Sequence, residues 1–227
     1  MLTLDVPGWG KVPVRTNGYD HRLLSQLFVG KDYQMDAPAV ARILDLGANI
    51  GMSALFMHGL FPAAEIACVE PSPSNLPVLK QAMALNAIHG RVFEGAIGAE
   101  PGTIDLYLST QPDRNTVIPT DEWGQVVRVP LFSVPQIMEQ MGWETIDVLK
   151  LDIEGAEKGI LGPDSSWLNK VRYIIGESHR HVGYDYPVLR ADLEAFGFTL
   201  ETLIPETENI GCTFRATNTR HPANAGA

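Results

Sequence analysis

The chain has 227 residues, of which 45% are hydrophobic and 19% charged, and its formal net charge is −10. These values are typical of one globular domain with a sizeable core. The acidic balance argues against a polyanionic partner, so we expect neither nucleic acid nor an anionic membrane surface to be bound. The two cysteines are too few for a disulfide framework, and no apolar run reaches membrane-spanning length, so we expect a cytoplasmic protein.

The first 42 residues are predicted to form an extension that packs on the core. Two extended stretches, over 2–6 and 11–15, flank a Pro-Gly-Trp-Gly turn and indicate an edge hairpin. A short helix is predicted over 21–28, with Asp20 as the capping residue at its start.

A glycine turn follows the first predicted strand of the core. Ile43, Leu44 and Leu46 indicate a buried parallel strand, and a helix pattern resumes after Gly51. Gly47 and Gly51 let the backbone approach a ligand, and the helix start offers N–H groups to an anion. The turn lacks the Gly-Lys-Ser/Thr of a phosphate loop and the second and third glycines of a dinucleotide fingerprint. A turn that binds no ligand is the alternative.

An acidic residue ends the second predicted strand, which covers residues 65–69. Glu70 comes about 20 residues after the glycine turn, where a carboxylate can accept hydrogen bonds from the two hydroxyls of a ribose. A carboxylate would also repel a 2′-phosphate, so a nucleoside without one is favoured. The alternative is that Glu70 caps the helix that starts near Ser74.

A third strand is predicted over 91–97. If these strands form one α/β sheet, the end of the third strand at Ala96 falls where the adenine ring of a bound nucleoside should lie. A β insertion follows near 103–132, since residues 103–109 alternate in polarity and 125–132 resemble a partner strand. The polar loop between them, 110–125, is a candidate lid or substrate loop, with a surface hairpin tip as the alternative. Ser133 and Gln136 then fit a capping box at the start of a helix.

The fourth core strand, predicted over 146–153, carries charged residues on one face. Lys150, Asp152 and Glu154 share one parity, opposite three apolar residues. Two carboxylates and an amine on a buried strand are costly unless they are paired or face a cleft, so this pattern indicates a site. The alternative is a structural Lys150–Asp152 pair, with Glu154 capping the next helix.

The fifth strand, predicted over 173–177, brings two more polar groups to the same end of the sheet. Glu177 and His179 share a parity, and histidine is the natural proton acceptor near neutral pH. His179 is therefore the first candidate for a general base, with Asp152 or Glu154 as alternatives. These four side chains could also bind a divalent cation, but no single motif has metal-ligand spacing and we assign no metal.

The C-terminal part is predicted to contain a helix over 185–197 and a last pair of strands over 199–204 and 212–216. Residues 217–227 are small and polar and are expected to form a flexible tail. The main domain is therefore predicted to extend over 43–216.

Five stretches of the chain recur together in one known family: Asp45-Leu-Gly-Ala-Asn-Ile-Gly51, Val69-Glu-Pro-Ser-Pro-Ser-Asn75, Ala84-Leu-Asn86, Gly95-Ala-Ile-Gly98 and Leu149-Lys-Leu-Asp-Ile-Glu-Gly-Ala-Glu157. With them the chain resembles the FkbM-type S-adenosylmethionine-dependent methyltransferases. The stretch with Lys150, Asp152 and Glu154 is the most specific, whereas the glycine turn is shared by many methyltransferases. One departure is Leu-Phe-Ser-Val-Pro at 131–135, where the family usually carries Thr-Leu-Asp.

The resemblance implies an α/β fold of the class I methyltransferase type. Its sheet would be doubly wound, seven-stranded and mostly parallel with an antiparallel last strand, next to the N-terminal hairpin and the β insertion. The implied cofactor is S-adenosylmethionine, and the implied acceptor is a small molecule, a hydroxyl on a sugar or natural product. Family members often place a tyrosine near the cofactor, as Tyr33 could be here. The expected cofactor contacts are Asp45, Gly47, Ala48, Asn49, Gly51, Glu70, Pro71, Ser72, Ala96, Asp152 and Tyr33.

Two other functional classes stay open at this point. A nicotinamide-dependent oxidoreductase could use a similar sheet, but the glycines missing at 49 and 52–54 weigh against it. A nucleoside-binding module without catalysis is disfavoured by the retained acidic residues and His179. The sequence indicates no oligomeric state.

Overall fold

A computed structural model describes residues 1–16, 19–109, 115–119, 125–162, 164–179, 184–205 and 211–224. Most of the predicted loop 110–125 lies outside these residues.

The N-terminal extension begins with the predicted hairpin. Strands β1 (Leu2–Val6) and β2 (Gly10–Val14) pair antiparallel. Helix α1 (Asp20–Leu24) then runs into a π-helical turn over Ser25–Gly30. The prediction that Asp20 caps this helix is wrong. Asp20 is the first helical residue, and its carboxylate instead accepts hydrogen bonds from Arg15.

Within the described ranges the central sheet has seven strands, in the order β11-β12-β10-β9-β3-β4-β5. Only β12 runs antiparallel to its neighbours, and the other pairings are parallel, so the predicted class I topology is confirmed. The strands are β3 (Arg42–Leu46), β4 (Glu65–Glu70), β5 (Gly90–Glu94), β9 (Ile146–Leu151), β10 (Val171–Glu177), β11 (Phe198–Ile204) and β12 (Thr213–Asn218).

Helices cover both faces of this sheet. One face packs Leu44 and Leu149 against α4 and α6, and the other packs Ile43 and Val148 against α2 and α3. Because both faces are buried, the central strands are almost continuously apolar. The helices are α2 (Met52–Leu60), α3 (Leu76–Leu85), α4 (Val134–Met141), α5 (Glu157–Ile160) and α6 (Tyr186–Ala195), with a 3-10 turn over Ser166–Lys170.

The β insertion is a separate three-stranded sheet of β6 (Ala96–Ile97), β7 (Gly102–Leu108) and β8 (Gln125–Phe132), in the order β6-β8-β7. The predicted third strand over 91–97 is therefore two strands, since β5 ends at Glu94 and β6 pairs with β8. The chain changes sheets at Gly95, where a Cβ atom would lie 2.5 Å from the carbonyl oxygen of Pro130. Only glycine allows this close approach.

Two helix starts follow the sequence signals. Ser133 accepts a hydrogen bond from the backbone N–H of Gln136 at the start of α4, and Asp185 does the same for Val188 at the start of α6. Strand β9 ends at Leu151, two residues before the predicted end. Asp152 and Glu154 consequently lie just beyond the strand, at the edge of the sheet.

Part of the predicted tail, residues 217–224, lies in the described part of the chain and contains regular structure. β12 continues through Asn218, and residues Pro222–Asn224 form a 3-10 turn. Asn224 accepts a hydrogen bond from Arg172 over 2.7 Å, which holds this turn against β10. No helix in the described part of the chain is long and apolar enough to cross a membrane.

Candidate functional site

Two adjoining clefts open at the carboxyl ends of β3, β4 and β9. The first cleft is lined by the glycine turn, Glu70, Pro71 and the stretch 95–97. The second cleft is lined by the glycine turn, the N-terminal extension and Glu177. Both clefts share Gly47, Asn49, Asp152 and Glu154. An elongated ligand could therefore occupy both and pass the carboxylates where they meet.

The glycine turn is held tightly between two strands. Gly47 has a φ of +78°, and a Cβ atom there would collide with the backbone carbonyl oxygen of Asp152. The N–H groups of Gly47 and Ala48 both donate to the carbonyl of Val69 over 3.0 Å. Glycine at 47 is thus required by both conformation and space. Asn49, with a φ of +50°, follows in the left-handed region.

Glu70 is 4% exposed and is fixed by three donors. Its Oε2 accepts from the N–H of Asn49 over 2.8 Å. Its Oε1 accepts from the N–H of Ser72 over 2.8 Å and from Nδ2 of Asn75 over 3.1 Å. Burial raises the pKa of Glu70, and these donors oppose the rise. The alternative that Glu70 caps the next helix is wrong, because its backbone partners precede α3.

Asp45 and Lys150 form a buried ion pair beneath the glycine turn. Lys150 Nζ lies 3.3 Å from Asp45 Oδ1, and Ser53 donates to Asp45 Oδ2 over 2.6 Å. Lys150 also donates to the carbonyl of Gly47 over 2.6 Å. Burial opposes the charge on Lys150, but Asp45 and Asp152 outweigh it and raise the pKa of the amine.

Three predicted cofactor contacts lie below the cleft surfaces instead of on them. Asp45 and Ser72 are fully buried and line neither cleft. Gly51 starts α2, and a Cβ atom there would lie 2.9 Å from Leu79, so it serves the packing of α2 on α3. The other predicted contacts line one or both clefts: Gly47, Ala48, Asn49, Glu70, Pro71, Ala96, Asp152 and Tyr33.

His179 is surrounded by carboxylates. Its Nδ1 lies 2.7 Å from Oε1 of Glu157, which is fully buried. Its Nε2 lies 3.6 Å from Asp152 Oδ1 and 3.8 Å from Glu154 Oε2. Burial opposes protonation, but these three carboxylates outweigh it and raise the pKa of His179 to about 10. The imidazole is therefore protonated near neutral pH, which counts against His179 as the general base.

The other acidic groups differ in their proton affinity. Burial opposes ionisation of Asp152, but Lys150, His179 and the hydroxyl of Tyr33, 3.3 Å away, lower its pKa. Burial and the neighbouring carboxylates raise the pKa of Glu154 to about 8, against the lowering effect of His179. Burial and Asp152 raise that of Glu177 to about 7. Of these three carboxyl groups, Glu154 and Glu177 therefore have the pKa values closest to neutral pH.

Asp152, Glu154 and His179 each place one possible ligand atom within 4.8 Å of the others. A divalent cation could span such a group. Ligation by His179 would require loss of its proton, because a protonated imidazole only donates hydrogen bonds. Without a cation, the imidazolium supplies the positive charge that the two carboxylates face.

Comparison with known proteins decides which family this site belongs to. The profile described as "Methyltransferase FkbM domain" matches residues 45–206. The chain belongs to the FkbM methyltransferase family. The predicted family is thereby confirmed, and with it methyl transfer as the activity.

Relatives of this methyltransferase are distant in sequence. The methyltransferase sdnD of Sordaria araneosa is 28% identical over 212 residues, covering 78% of this chain and 82% of that protein. The 31-O-demethyl-FK506 methyltransferase FkbM of Streptomyces tacrolimicus is 25% identical over 190 residues, covering 70% and 72%. The crystal structure of an FkbM methyltransferase from Methylobacillus flagellatus has a TM-score of 0.53 at 14% identity, covering 82% of this chain and 45% of that one. This last likeness shows the fold alone.

Several residues of the methyltransferase site were not assigned from sequence. Asn75 donates a hydrogen bond to Glu70, and Glu157 lies 2.7 Å from His179. Both residues belong to the stretches that resemble the family, so the sequence did point to them. Thr116 of the insertion donates to the carbonyl of Glu154 over 2.9 Å, and Asn115 lines the first cleft. Part of the predicted substrate loop therefore does reach the site.

Proposed function

We propose that this methyltransferase uses S-adenosylmethionine and methylates a hydroxyl oxygen of a sugar or another small natural product. The observation that carries the cofactor is Glu70, a buried carboxylate at the end of β4 that faces the first cleft. Its Oε2 accepts one protein hydrogen bond and retains acceptor capacity for a ribose hydroxyl.

The residues of the two clefts fit the parts of this cofactor. Glu70 would receive the ribose hydroxyls, and the backbone and apolar atoms of 95–97 would contact the adenine. Asn49 Oδ1 is buried where the clefts meet and has no hydrogen-bond partner among the described residues, so a donor from a ligand would satisfy it. Tyr33 and Asp152 would border the amino-acid end in the second cleft. When bound, S-adenosylmethionine supplies the methyl group.

The proton of the acceptor hydroxyl needs a base near the meeting point of the clefts. Glu154 lies there, in both clefts, and the pKa of about 8 makes it a stronger proton acceptor than Asp152. We assign this role to Glu154 in place of His179. The His179 imidazolium, held by Glu157, then orients the carboxylates of Glu154 and Asp152 and balances their charge.

The oxygen acceptor is supported by one relative whose name states an O-demethylated substrate, and by the carboxylate of Glu154 at the meeting point of the clefts, where it could accept a hydroxyl proton. The test is a turnover screen with methyl-labelled S-adenosylmethionine against hydroxylated sugars, glycosides and polyketides, beside matched amines. Label transferred only to amines would overturn the oxygen assignment.

Replacing Glu70 with alanine should weaken binding of S-adenosylhomocysteine by about 100-fold, because hydrogen bonds to a charged group contribute about 1.5–3 kcal/mol each. Isothermal titration calorimetry measures this directly. The matched control is Glu94→Ala, which removes an exposed glutamate opposite Glu70 on the neighbouring strand. Its affinity should stay within about twofold of the wild type. Equal affinities for the Glu70→Ala variant and the wild type would refute the ribose role.

A further inference from the structure

The N-terminal extension reaches Glu70 through a chain of polar side chains. Arg15, which directly follows β2, donates from Nη1 to Oδ1 of Asn75 over 2.7 Å. Asn75 donates from Nδ2 to Oε1 of Glu70 over 3.1 Å. Asp20, 1% exposed, holds the other side of Arg15, accepting from its backbone N–H over 2.7 Å and from Nη2 over 2.8 Å. A continuous chain of hydrogen bonds thus joins the N-terminal hairpin to the carboxylate of Glu70.

We propose that Arg15 is a positioning residue for the ribose of the cofactor, acting through Asn75 on Glu70. This inference rests on the proposed function, because it concerns the nucleoside that Glu70 would bind. Arg15 and Asp20 precede residues 45–206, which match the family profile. The extension would therefore complete a site whose other parts belong to the family domain.

The physical reason lies in the two ends of the Asn75 amide. An amide can present either its oxygen or its nitrogen to a neighbour. An oxygen turned toward Glu70 would face a carboxylate and repel it. A guanidinium only donates hydrogen bonds, so Arg15 retains the oxygen on its own side and leaves the nitrogen directed at Glu70.

The orientation of Asn75 determines what Glu70 can offer a ligand. With Asn75 and Ser72 donating to Oε1, and Asn49 donating to Oε2, the carboxylate plane is fixed from both sides. Without Arg15 the amide oxygen loses its charged donor, so the flipped amide, whose oxygen would face Glu70, becomes less unfavourable and the donation from Asn75 to Oε1 is weakened. The loss should appear in ligands that carry ribose hydroxyls and not in ligands that lack them.

The experiment compares two ligands on two proteins. Displacement of labelled S-adenosylhomocysteine is measured with adenosine and with 2′,3′-dideoxyadenosine, on the wild type and on Arg15→Met. We expect Arg15→Met to lower the affinity for adenosine about tenfold and to change the affinity for dideoxyadenosine by less than about twofold. Arg128→Met is the control, since Arg128 pairs with Asp105 on the exposed insertion and touches neither cleft.

Asn75→Ala is a second variant that breaks the same link without altering the hairpin, and it should show the same ligand dependence even if Arg15→Met folds poorly. Equal loss for both ligands would mean a purely structural role and overturn the inference. Unchanged affinity for both would overturn it as well. A wild type that fails to bind S-adenosylhomocysteine would refute the proposed function itself, whereas a binding wild type with an unaffected Arg15→Met refutes this inference alone.

Discussion

Replacing Lys150 with methionine should lower the free energy of unfolding by about 3–5 kcal/mol, because it leaves a buried carboxylate without its cation. Lys150 is 1% exposed and Asp45 is fully buried, 3.3 Å away. The carbonyl groups of Leu46 and Gly47 would also lose the amine that donates to them. A loss of this size is a large fraction of the stability of an ordinary domain. Urea denaturation followed by circular dichroism measures it.

Two further variants separate the buried charge from other effects. Lys80→Met removes an exposed lysine that pairs with Glu94, and it should cost less than about 1 kcal/mol. The double variant Lys150→Met with Asp45→Asn has no unpaired buried charge at this pair, so it should recover about half of the loss or more. A single Lys150→Met variant as stable as Lys80→Met would show that the pair contributes nothing to folding.

Replacing Glu154 with glutamine should lower kcat by about 10²–10⁴-fold, the usual contribution of a positioned general base. Glutamine has nearly the same shape but cannot accept the proton. Affinity for S-adenosylhomocysteine should therefore change by less than about threefold. The assay is turnover with an acceptor found in the hydroxyl screen, combined with calorimetry of each variant.

The pH dependence identifies the group. The carboxylate form of Glu154 is the active one, so wild-type kcat should fall about tenfold per pH unit below its pKa of about 8 and level off above it. His179, with a pKa of about 10, stays protonated across this range. In the Glu154→Gln variant kcat should no longer change with pH near pH 8. The control Glu144→Gln, at an exposed position, should keep the wild-type pH profile.

A specific alternative would show in the same profiles. Glu177 lies in the second cleft with a pKa of about 7. If Glu177→Gln abolishes the fall of kcat at low pH and Glu154→Gln does not, Glu177 is the base and our assignment is wrong. Loss of this fall in both variants, with normal cofactor affinity, would mean that the two carboxylates share the proton.

The charged residues of the fourth strand show how far a parity argument reaches. Lys150 lies 3.5 Å from Asp152, as their shared parity predicts, but Glu154 has a φ of +53° beyond the strand, where alternation no longer applies. Parity could not separate the three residues by depth, because that depends on β9 ending at Leu151 under the glycine turn. Lys150 therefore lies beneath the turn with Asp45, and the two carboxylates lie at the clefts. Asp45, a predicted cofactor contact, lies beneath the turn with Lys150 and lines neither cleft.

The assignment of the base depended on contacts that no local pattern reveals. His179 is the natural proton acceptor when taken alone, but Glu157, 22 residues away, meets it at 2.7 Å in the folded chain. That carboxylate keeps the imidazole protonated. The local sequence around His179 contains no sign of this partner.

Local patterns in the sequence predict the α/β arrangement, because alternating strands and helices, the glycine turn, and a carboxylate closing the second strand have local physical causes. The methyltransferase class was predicted from the resemblance of five stretches to a known family. The tertiary structure alone decided the charge states and the supporting contacts. Arg15 meets Asn75 across 60 residues, and at Gly95, where the chain leaves the main sheet, the carbonyl oxygen of Pro130 leaves no space for a Cβ atom. Proton affinity and side-chain orientation are set by whichever groups surround a residue in space. Those neighbours come from distant parts of the chain and exist only once the sheet has formed.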